Sequence, residues 1–269
     1  MYLPSKIKSF VNRHEGETCY IFGDGPSIKS FDYSNFTDHI SISCGMQIFH
    51  RDFNKLNVKY YSLIEPYLFY PDWIILTKRY QYLKKHRIIT NEFKNLMKLN
   101  NDITFFINLS NIFTIYLKNI CFLHKYRVKN LDAFKLLMSK NLNPFANSFN
   151  TVISIARLMG FKKIYLIGFD SHTIKNTPYR WYESHTKASS FADDKIDYDL
   201  KEIVSMNEDI LDIYGRDMEI VNISNEGTNC NVTHMDYSKH TGEKIENNTN
   251  INLINPKYMG LLKKRFESI

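Results

Sequence analysis

A glycine-rich turn near the start of the chain combines residue types that suit the binding of an anion. The turn Gly23-Asp24-Gly25-Pro26-Ser27 follows the apolar run Cys19–Phe22. Glycines let a backbone take positive φ and approach a ligand, and Pro26 suits the first turn of a helix because its φ is fixed and it lacks an N–H. Ser27 and the N–H groups after it can hold an anion. The turn predicts a phosphate or nucleotide at the tip of a first strand; the alternative is that its glycines serve only packing.

The spacing of this turn excludes two common nucleotide-binding motifs. The dinucleotide fingerprint needs a third glycine where this chain has Ile28, and an acidic residue near the end of the second strand, where it has Ser43-Cys44-Gly45-Met46. The P-loop needs Gly-Lys-Ser/Thr after four spacer residues, and Lys29 is not in that frame. We therefore expect neither a nicotinamide enzyme nor a P-loop kinase.

Glycine and polar residues also follow three other predicted strands. Ligands of open parallel sheets bind beyond the carboxyl ends of the strands. The four strand ends are Gly23-Asp24-Gly25, Ser43-Cys44-Gly45, Gly168-Phe169-Asp170 and Ser224-Asn225-Glu226-Gly227. Together they favour a nucleotide cleft. In that cleft Asp170 could accept hydrogen bonds from a ribose or base or hold a metal, or it could only cap the next turn.

Two histidines and a pair of tyrosines are the candidates for catalysis. His185 lies in a polar loop, where a neutral imidazole could take a proton from a hydroxyl near neutral pH, and His172 is its rival. Tyr179 and Tyr182, with Arg180 and Trp181 between them, could stabilise a departing phosphate or pack a loop against the core. We find no cluster of His, Asp and Glu with metal-site spacing, so no metal is expected.

Length and composition indicate one sizeable α/β domain, with or without a large insertion. The chain has 269 residues, of which 43% are hydrophobic, and its net charge of +7 favours an acidic partner such as a nucleotide-sugar, an anionic glycan or a membrane surface. Nucleic acid is not expected because the basic residues are scattered and no nucleic-acid motif is present. The four cysteines are far apart, which fits a reducing compartment. Residues 1–18 contain no apolar signal sequence, so a cytoplasmic location is expected.

Short apolar runs alternate with polar connectors, which predicts a mostly parallel sheet with helices on both faces. Strands are expected over 19–22, 40–43, 60–64, 164–167 and 219–223, and helices from Asn147 or Ser148 to Gly160 and over 199–214. Residues 1–269 are expected to form a single domain. Within it we expect a helical, aromatic insertion over 66–143 and a lid loop over 171–198. The tail 255–269 has the pattern of a basic amphipathic helix, suited to the inner face of the membrane or to packing on the core.

The ordered motifs resemble those of the bacterial sialyltransferases of glycosyltransferase family 42. They are also similar to the family of archaeal hydroxymethylpterin diphosphokinase and the bacterial motility accessory factors. The matching pieces are Ile21-Phe22-Gly23-Asp24-Gly25-Pro26-Ser27-Ile28, where the family has Gly-Asn-Gly-Pro-Ser-Leu, the block from Asn147 to Asp170, Ser184-His185, and Asn222-Ile223-Ser224-Asn225-Glu226-Gly227. The last piece is closer to the second family.

The sialyltransferase resemblance implies a Rossmann-like, variant GT-A domain with a lid and a CMP-linked nonulosonic acid as donor, without a metal. It implies His185 as the base and Tyr179 at the leaving phosphate. With the strand-end residues added, the expected donor contacts are Gly23, Asp24, Gly25, Pro26, Ser27, Cys44, Gly45, Ser148, Gly168, Phe169 and Asp170. The chain departs from the family at Asp24, which replaces an asparagine, and after Cys44, where an asparagine is missing.

We therefore expect an inverting glycosyltransferase that builds a bacterial surface glycan (lipopolysaccharide or capsule), with a glycan acceptor. It would need no cofactor and could form a homo-oligomer. Two alternatives stay open. One is Mg²⁺-dependent pyrophosphoryl transfer from ATP to a small alcohol, with Asp24 or Asp170 holding the ion. The other is an accessory protein that binds a nucleotide or glycan without catalysis.

Overall fold

Eight parallel strands form one sheet in the computed structural model of this chain. The structure describes residues 3–71, 82–124, 147–170, 180–183, 207, 210–224, 232–246 and 248–265. The strands are β1 Thr18–Phe22, β2 Ile40–Cys44, β3 Val58–Leu63, β4 Thr104–Asn108, β5 Ile120–Leu123, β6 Lys163–Ile167, β7 Glu219–Ser224 and β8 Thr233–Asp236. The predicted α/β fold class with a parallel sheet is confirmed.

The order of the strands places β1 near the centre of the sheet. The order is β5-β4-β3-β2-β1-β6-β7-β8, so the chain adds β2 to β5 on one side of β1 and then returns to add β6 to β8 on the other. Ile21 pairs with Ile42 of β2 and with Leu166 of β6, which fixes the register on both sides. The direction in which strands are added reverses between β1 and β6, and such a switch point leaves a crevice at the carboxyl ends.

Helices cover both faces of the sheet because its strands are apolar on both sides. The helices are α1 Leu3–Lys8, α2 Tyr82–Leu99, α3 Ser148–Leu158, α4 Tyr237–Thr241, α5 Asn250–Leu253 and α6 Pro256–Arg265, and residues 210–214 are also helical. On one face, Val152 and Ile153 of α3 pack against Ile21 and Ile42. On the other, α2 and α6 belong to the cluster that contains Phe22.

The helix after residue 147 starts and ends as predicted. The Asn147 side chain accepts a hydrogen bond from the Asn150 N–H at 2.7 Å, so Asn147 rather than Ser148 is the N-cap. Gly160, with φ of +83°, ends the helix in the left-handed region.

The region 66–143 differs from the helical insertion that we predicted. It contains α2, but it also contributes β4 and β5, which form one edge of the main sheet. The polar residues that interrupt the apolar run 103–123 mark the ends of two short strands. Asn108 ends β4, and its side chain accepts a hydrogen bond from Ser110 N–H in the turn that follows. Asn119 directly precedes β5 and donates to three carbonyls that end α2 and lead into β4.

The C-terminal helix α6 packs on the body of the protein. Tyr258 and Leu262 are buried in the core, whereas Lys257, Lys263 and Lys264 are exposed. No helix in the described part of the chain combines the length and the apolar character needed to cross a membrane.

Candidate functional site

The turns after β1 and β6 are interlocked at the switch point. Gly25 N–H donates to the Gly168 carbonyl at 2.7 Å, and Gly23 N–H donates to the Ile167 carbonyl at 2.8 Å. A Cβ at Gly23 would lie 2.6 Å from the Gly168 oxygen, and a Cβ at Gly168, where φ is +71°, would lie 2.7 Å from the Gly23 oxygen. Both glycines are therefore required by the packing of one turn on the other, which was the alternative interpretation of the glycine-rich turn.

A carboxylate of the protein lies where the sequence predicts an external anion. Asp170 is 8% exposed, and its Oδ2 accepts a hydrogen bond from Ser27 N–H at 2.9 Å. A Cβ at Gly25 would lie 2.2 Å from the same oxygen. Asp170 therefore uses one N–H of the predicted anion site, and the absence of a Cβ at Gly25 makes room for it. The Ser27 hydroxyl is buried and has no hydrogen-bond partner among the described residues.

Asp24 connects the ends of β1 and β2. Both of its carboxylate oxygens accept from Met46 N–H, at 3.0 and 2.9 Å, and Oδ1 also accepts from Trp181 Nε1–H at 3.1 Å. A Cβ at Gly45 would lie 1.9 Å from Asp24 Oδ2, so the carboxylate needs a glycine there. Burial raises the pKa of Asp24 to about 6, although Arg180 and these hydrogen bonds act in the opposite direction.

The segment Arg180–Glu183 packs against these turns and is hydrogen-bonded to Asp24. Trp181 and Tyr182 are fully buried, and Glu183 is 1% exposed. Trp181 N–H donates to the Asp24 carbonyl at 3.0 Å, and Lys29 Nζ donates to the Glu183 carbonyl at 2.6 Å. Burial lowers the pKa of Lys29 to about 8, with Glu183 acting in the opposite direction. The aromatic pair therefore packs in the core, one of the two roles considered for this stretch.

The end of β2 contributes backbone to the site, whereas its cysteine faces the interior. Cys44 is 3% exposed, and its thiol donates to the Phe22 carbonyl at 3.5 Å. Burial, together with the nearby Asp24 carboxylate, raises the pKa of Cys44 well above its usual value. A protonated, enclosed thiol is a poor nucleophile, so Cys44 is not a candidate for nucleophilic catalysis.

The first turn of α3 lies against the end of β6. The ring of Phe149 packs edge-on against Phe169, with 5.1 Å between ring centroids. Ser148, directly before Phe149, is half-buried. The structure thus brings the start of α3, the Gly168-Phe169-Asp170 turn and the Gly23–Ser27 turn to one end of the sheet.

The three histidine and tyrosine candidates His185, His172 and Tyr179 lie outside the described residues, as do Ser184 and the residues 225–227.

Sequence reasoning did not single out Gln47 or Lys29. Gln47 Nε2 donates to the Gly23 carbonyl at 2.5 Å, and no pattern in the sequence indicates this contact. The sequence could have indicated Lys29, since it follows the Gly23–Ser27 turn by only two residues. Among the described residues, no group of three or more His, Cys, Asp or Glu could hold a metal ion.

The solved structures similar to this chain include sialyltransferases. The sialyltransferase CST-II in complex with a trisaccharide acceptor and CMP is 15% identical, with a TM-score of 0.44, over 93% of this chain and 100% of that chain. CstII from Campylobacter jejuni in complex with cytidine-5'-monophosphate is 18% identical, with a TM-score of 0.41, over 93% of this chain and 99% of that chain. The chain matches no protein-family model and no curated protein.

Proposed function

We propose that this protein is a glycosyltransferase that binds an activated sugar at the switch point between β1 and β6. One observation carries the proposal: motifs that resemble sialyltransferase motifs, and that are far apart in the sequence, meet at the carboxyl ends of β1 and β6. The Gly23–Ser27 turn contacts Asp170, and Phe149 beside Ser148 contacts Phe169. In an open parallel sheet the carboxyl ends of the strands at a switch point are the expected place for a ligand. The segment Arg180–Glu183, which lies between Tyr179 and His185 in sequence, docks on the same turns.

The proposed donor is a CMP-linked nonulosonic acid or a similar acidic sugar. We assign its contacts to residues at the strand ends and at the start of α3. The proposed set is Gly23, Gly25, Pro26, Ser27, Cys44 (through its backbone), Gly45, Ser148, Gly168, Phe169 and Asp170. The first turn of α3 offers N–H groups to the nucleotide phosphate, as helix N-termini do.

The proposed reaction is a direct displacement with inversion and without a metal. The acceptor hydroxyl oxygen forms a bond to the anomeric carbon while the bond from that carbon to the CMP phosphate oxygen breaks. His185 takes the hydroxyl proton, and Tyr179 donates a hydrogen bond to the departing phosphate. The acceptor would be a bacterial surface glycan, and the site of action the cytoplasm, with contact to the membrane through α6. A homo-oligomer is compatible with this proposal.

Thermal-shift screening against CMP, CDP, UDP, GDP and ATP, each with and without Mg²⁺, tests the donor. We expect CMP to raise the melting temperature without magnesium, because a ligand that binds only the folded state stabilises it. Ser148→Ala should weaken the CMP shift, whereas Thr37→Ala, at an exposed position, should preserve it. A shift with ATP and magnesium alone would contradict the proposal and favour pyrophosphoryl transfer. The magnesium arm is needed because the metal-site prediction above overlooked Asp197-Tyr198-Asp199, whose two carboxylates are of a kind that hold Mg²⁺ with a substrate phosphate; these residues lie outside the described part of the chain.

A transfer assay with His185→Ala and His172→Ala as a matched pair tests the base. We expect His185→Ala to lower kcat about 100-fold or more, because general bases contribute rate factors of that size. His172→Ala should retain most of the activity. Full activity of His185→Ala would show that the base is assigned wrongly. Binding of CMP without turnover of any donor would favour the accessory protein.

A further inference from the structure

We infer that Asp24 is a positioning residue whose carboxylate anchors the segment Arg180–Glu183 to the ends of β1 and β2. Tyr179 and His185 flank this segment in the sequence, so the anchor bears on both proposed catalytic residues. The consequence for catalysis rests on the proposed function, which assigns roles to Tyr179 and His185. The anchor itself does not rest on it, since it is built from contacts among described residues.

The contacts of Asp24 join two parts of the chain. Met46 N–H lies within 3.0 Å of both carboxylate oxygens, and Trp181 Nε1–H donates to Oδ1 at 3.1 Å. Gln47 Nε2 lies 3.4 Å from Oδ1 as a third donor. The backbone takes part as well, because Trp181 N–H donates to the Asp24 carbonyl at 3.0 Å. Trp181 is therefore held to Asp24 through both its main chain and its indole.

The segment is held at its other end by Lys29. Its Nζ donates to the Glu183 carbonyl at 2.6 Å, and the Lys29 side chain is itself buried. Tyr179 lies two residues before Trp181, and His185 two residues after Glu183. Each is thus two peptide units from an anchored residue, so loss of the anchor is expected to affect both proposed catalytic residues.

The donors around position 24 explain why an aspartate stands where the resembling family has an asparagine. Met46 N–H faces both side-chain oxygens, and Trp181 and Gln47 add two further donors. An asparagine has one acceptor oxygen and would turn its NH₂ group toward an N–H donor, whereas a carboxylate accepts at both oxygens. Asp24 therefore fits a site built from protein donors rather than contact with an anionic donor sugar.

Fluorescence of Trp181 reports the anchor directly. The chain has two tryptophans, Trp73 and Trp181, so Trp73→Phe leaves Trp181 as the single reporter. Protonation of a carboxylate that accepts from the indole N–H changes the emission of the indole. We expect a transition in emission with a midpoint near the Asp24 pKa of about 6, and its loss when Asp24→Asn is added. Asp170→Asn in the same background is the control, because Asp170 contacts Ser27, and it should keep the transition.

The described ionisable side chains that interact electrostatically with Asp24, and the His50 ring that packs on Trp181, do not titrate near that midpoint. Arg180 keeps its charge throughout this range. Burial lowers the pKa of His50, whose ring packs on Trp181, to about 3. Burial raises the pKa of four further groups that interact with Asp24 above their usual values; these groups are Tyr33, Cys44, Tyr61 and Tyr182. A transition that persists in Asp24→Asn, or that is absent from the folded Trp73→Phe protein, overturns the anchor.

A double-mutant cycle tests the consequence for catalysis. Trp181→Phe keeps an aromatic ring but removes the N–H that Asp24 accepts. We expect Asp24→Asn and Trp181→Phe each to lower kcat about tenfold with little change in the donor KM, and the double variant to be no slower than the slower single variant. A raised donor KM in Asp24→Asn alone would show that Asp24 contacts the donor. Additive effects of the two substitutions on kcat would show that the two residues act separately. Either result overturns the inference. If no donor is turned over, the proposed function fails, whereas the fluorescence result still decides the anchor.

Discussion

At the scale of single residues, two aspartates satisfy N–H groups at the ends of the strands. Asp170 accepts from Ser27 N–H, and Asp24 accepts from Met46 N–H and the Trp181 indole. Carboxylates in such positions stabilise the turns, but they also place negative charge beside a cleft proposed for an anionic donor. Under the proposal, Arg180 and the N–H groups at the start of α3 have to offset this charge.

The raised pKa of Asp24 predicts how stability depends on pH. The pKa is about 6 in the folded protein against a usual 3.8, so the folded state binds this proton more tightly than the unfolded chain. The stabilisation is complete below the unfolded pKa and is lost as the pH rises through about 6. Urea unfolding should show wild type losing up to about 3 kcal/mol relative to Asp24→Asn between about pH 4 and pH 7. Asp102→Asn, at an exposed position, is the control, and a parallel pH dependence of wild type and Asp24→Asn would contradict the prediction.

At the scale of elements, the site is made by turns that pack on each other. Backbone hydrogen bonds join the Gly23–Gly25 turn to Ile167 and Gly168. A Cβ at either Gly23 or Gly168 would lie closer than 3 Å to a backbone oxygen of the other turn. The two strand ends can therefore approach each other only because glycine is present at both positions.

Comparison of Gly168→Ala with Gly242→Ala separates the loss of stability caused by close packing from the loss caused by backbone strain. Both glycines have positive φ, +71° and +78°, but only Gly168 has atoms within 4 Å of the added Cβ. We expect Gly242→Ala to lower the free energy of unfolding by about 1 kcal/mol and Gly168→Ala by about 3 kcal/mol, because overpacking adds to the strain. Equal losses in urea unfolding would show that the turns relax apart without penalty.

At the scale of the whole molecule, the C-terminal helix completes one side of the core. Tyr258 of α6 packs edge-on against Phe49, and Leu262 is fully buried. Its apolar face is thus directed into the protein, and its lysines point to solvent. Any contact of α6 with a membrane would have to use the exposed lysines, which suit attraction to anionic lipid rather than insertion.

Leu262→Ala and Lys263→Ala test this role of α6. The buried leucine should contribute about 2–5 kcal/mol to stability, as large-to-small substitutions in cores do. Removal of the exposed Lys263 side chain should change the free energy of unfolding by less than about 0.5 kcal/mol. If Leu262→Ala unfolds at the same urea concentration as wild type, α6 does not belong to the folded core.

The sequence predicted the central strands better than the edges of the sheet. Strands β1, β2, β6 and β7 were found because each is an apolar run that ends in glycine or a polar residue, as buried parallel strands do. In contrast, β8 is the edge strand Thr233–Asp236, exposed or half-buried along its length, so its residues carry little apolar pattern. The strands β4 and β5 were missed because two short strands and the polar turn between them resemble one interrupted helix.

Local patterns in the sequence determined the parallel α/β class, the glycine turn at Gly23–Ser27 and a helix start at Asn147 or Ser148, because each depends on apolar runs, φ preferences or neighbours within a few residues. Only the tertiary structure decided what these features contact. Asp170 reaches Ser27 across 143 residues, and Trp181 reaches Asp24 across 157. Such contacts depend on the strand order, which places β6 beside β1, and no local spacing encodes that order. Hence the sequence predicted an anion beside Ser27 N–H, whereas only the structure showed that the protein's own Asp170 carboxylate accepts from that group.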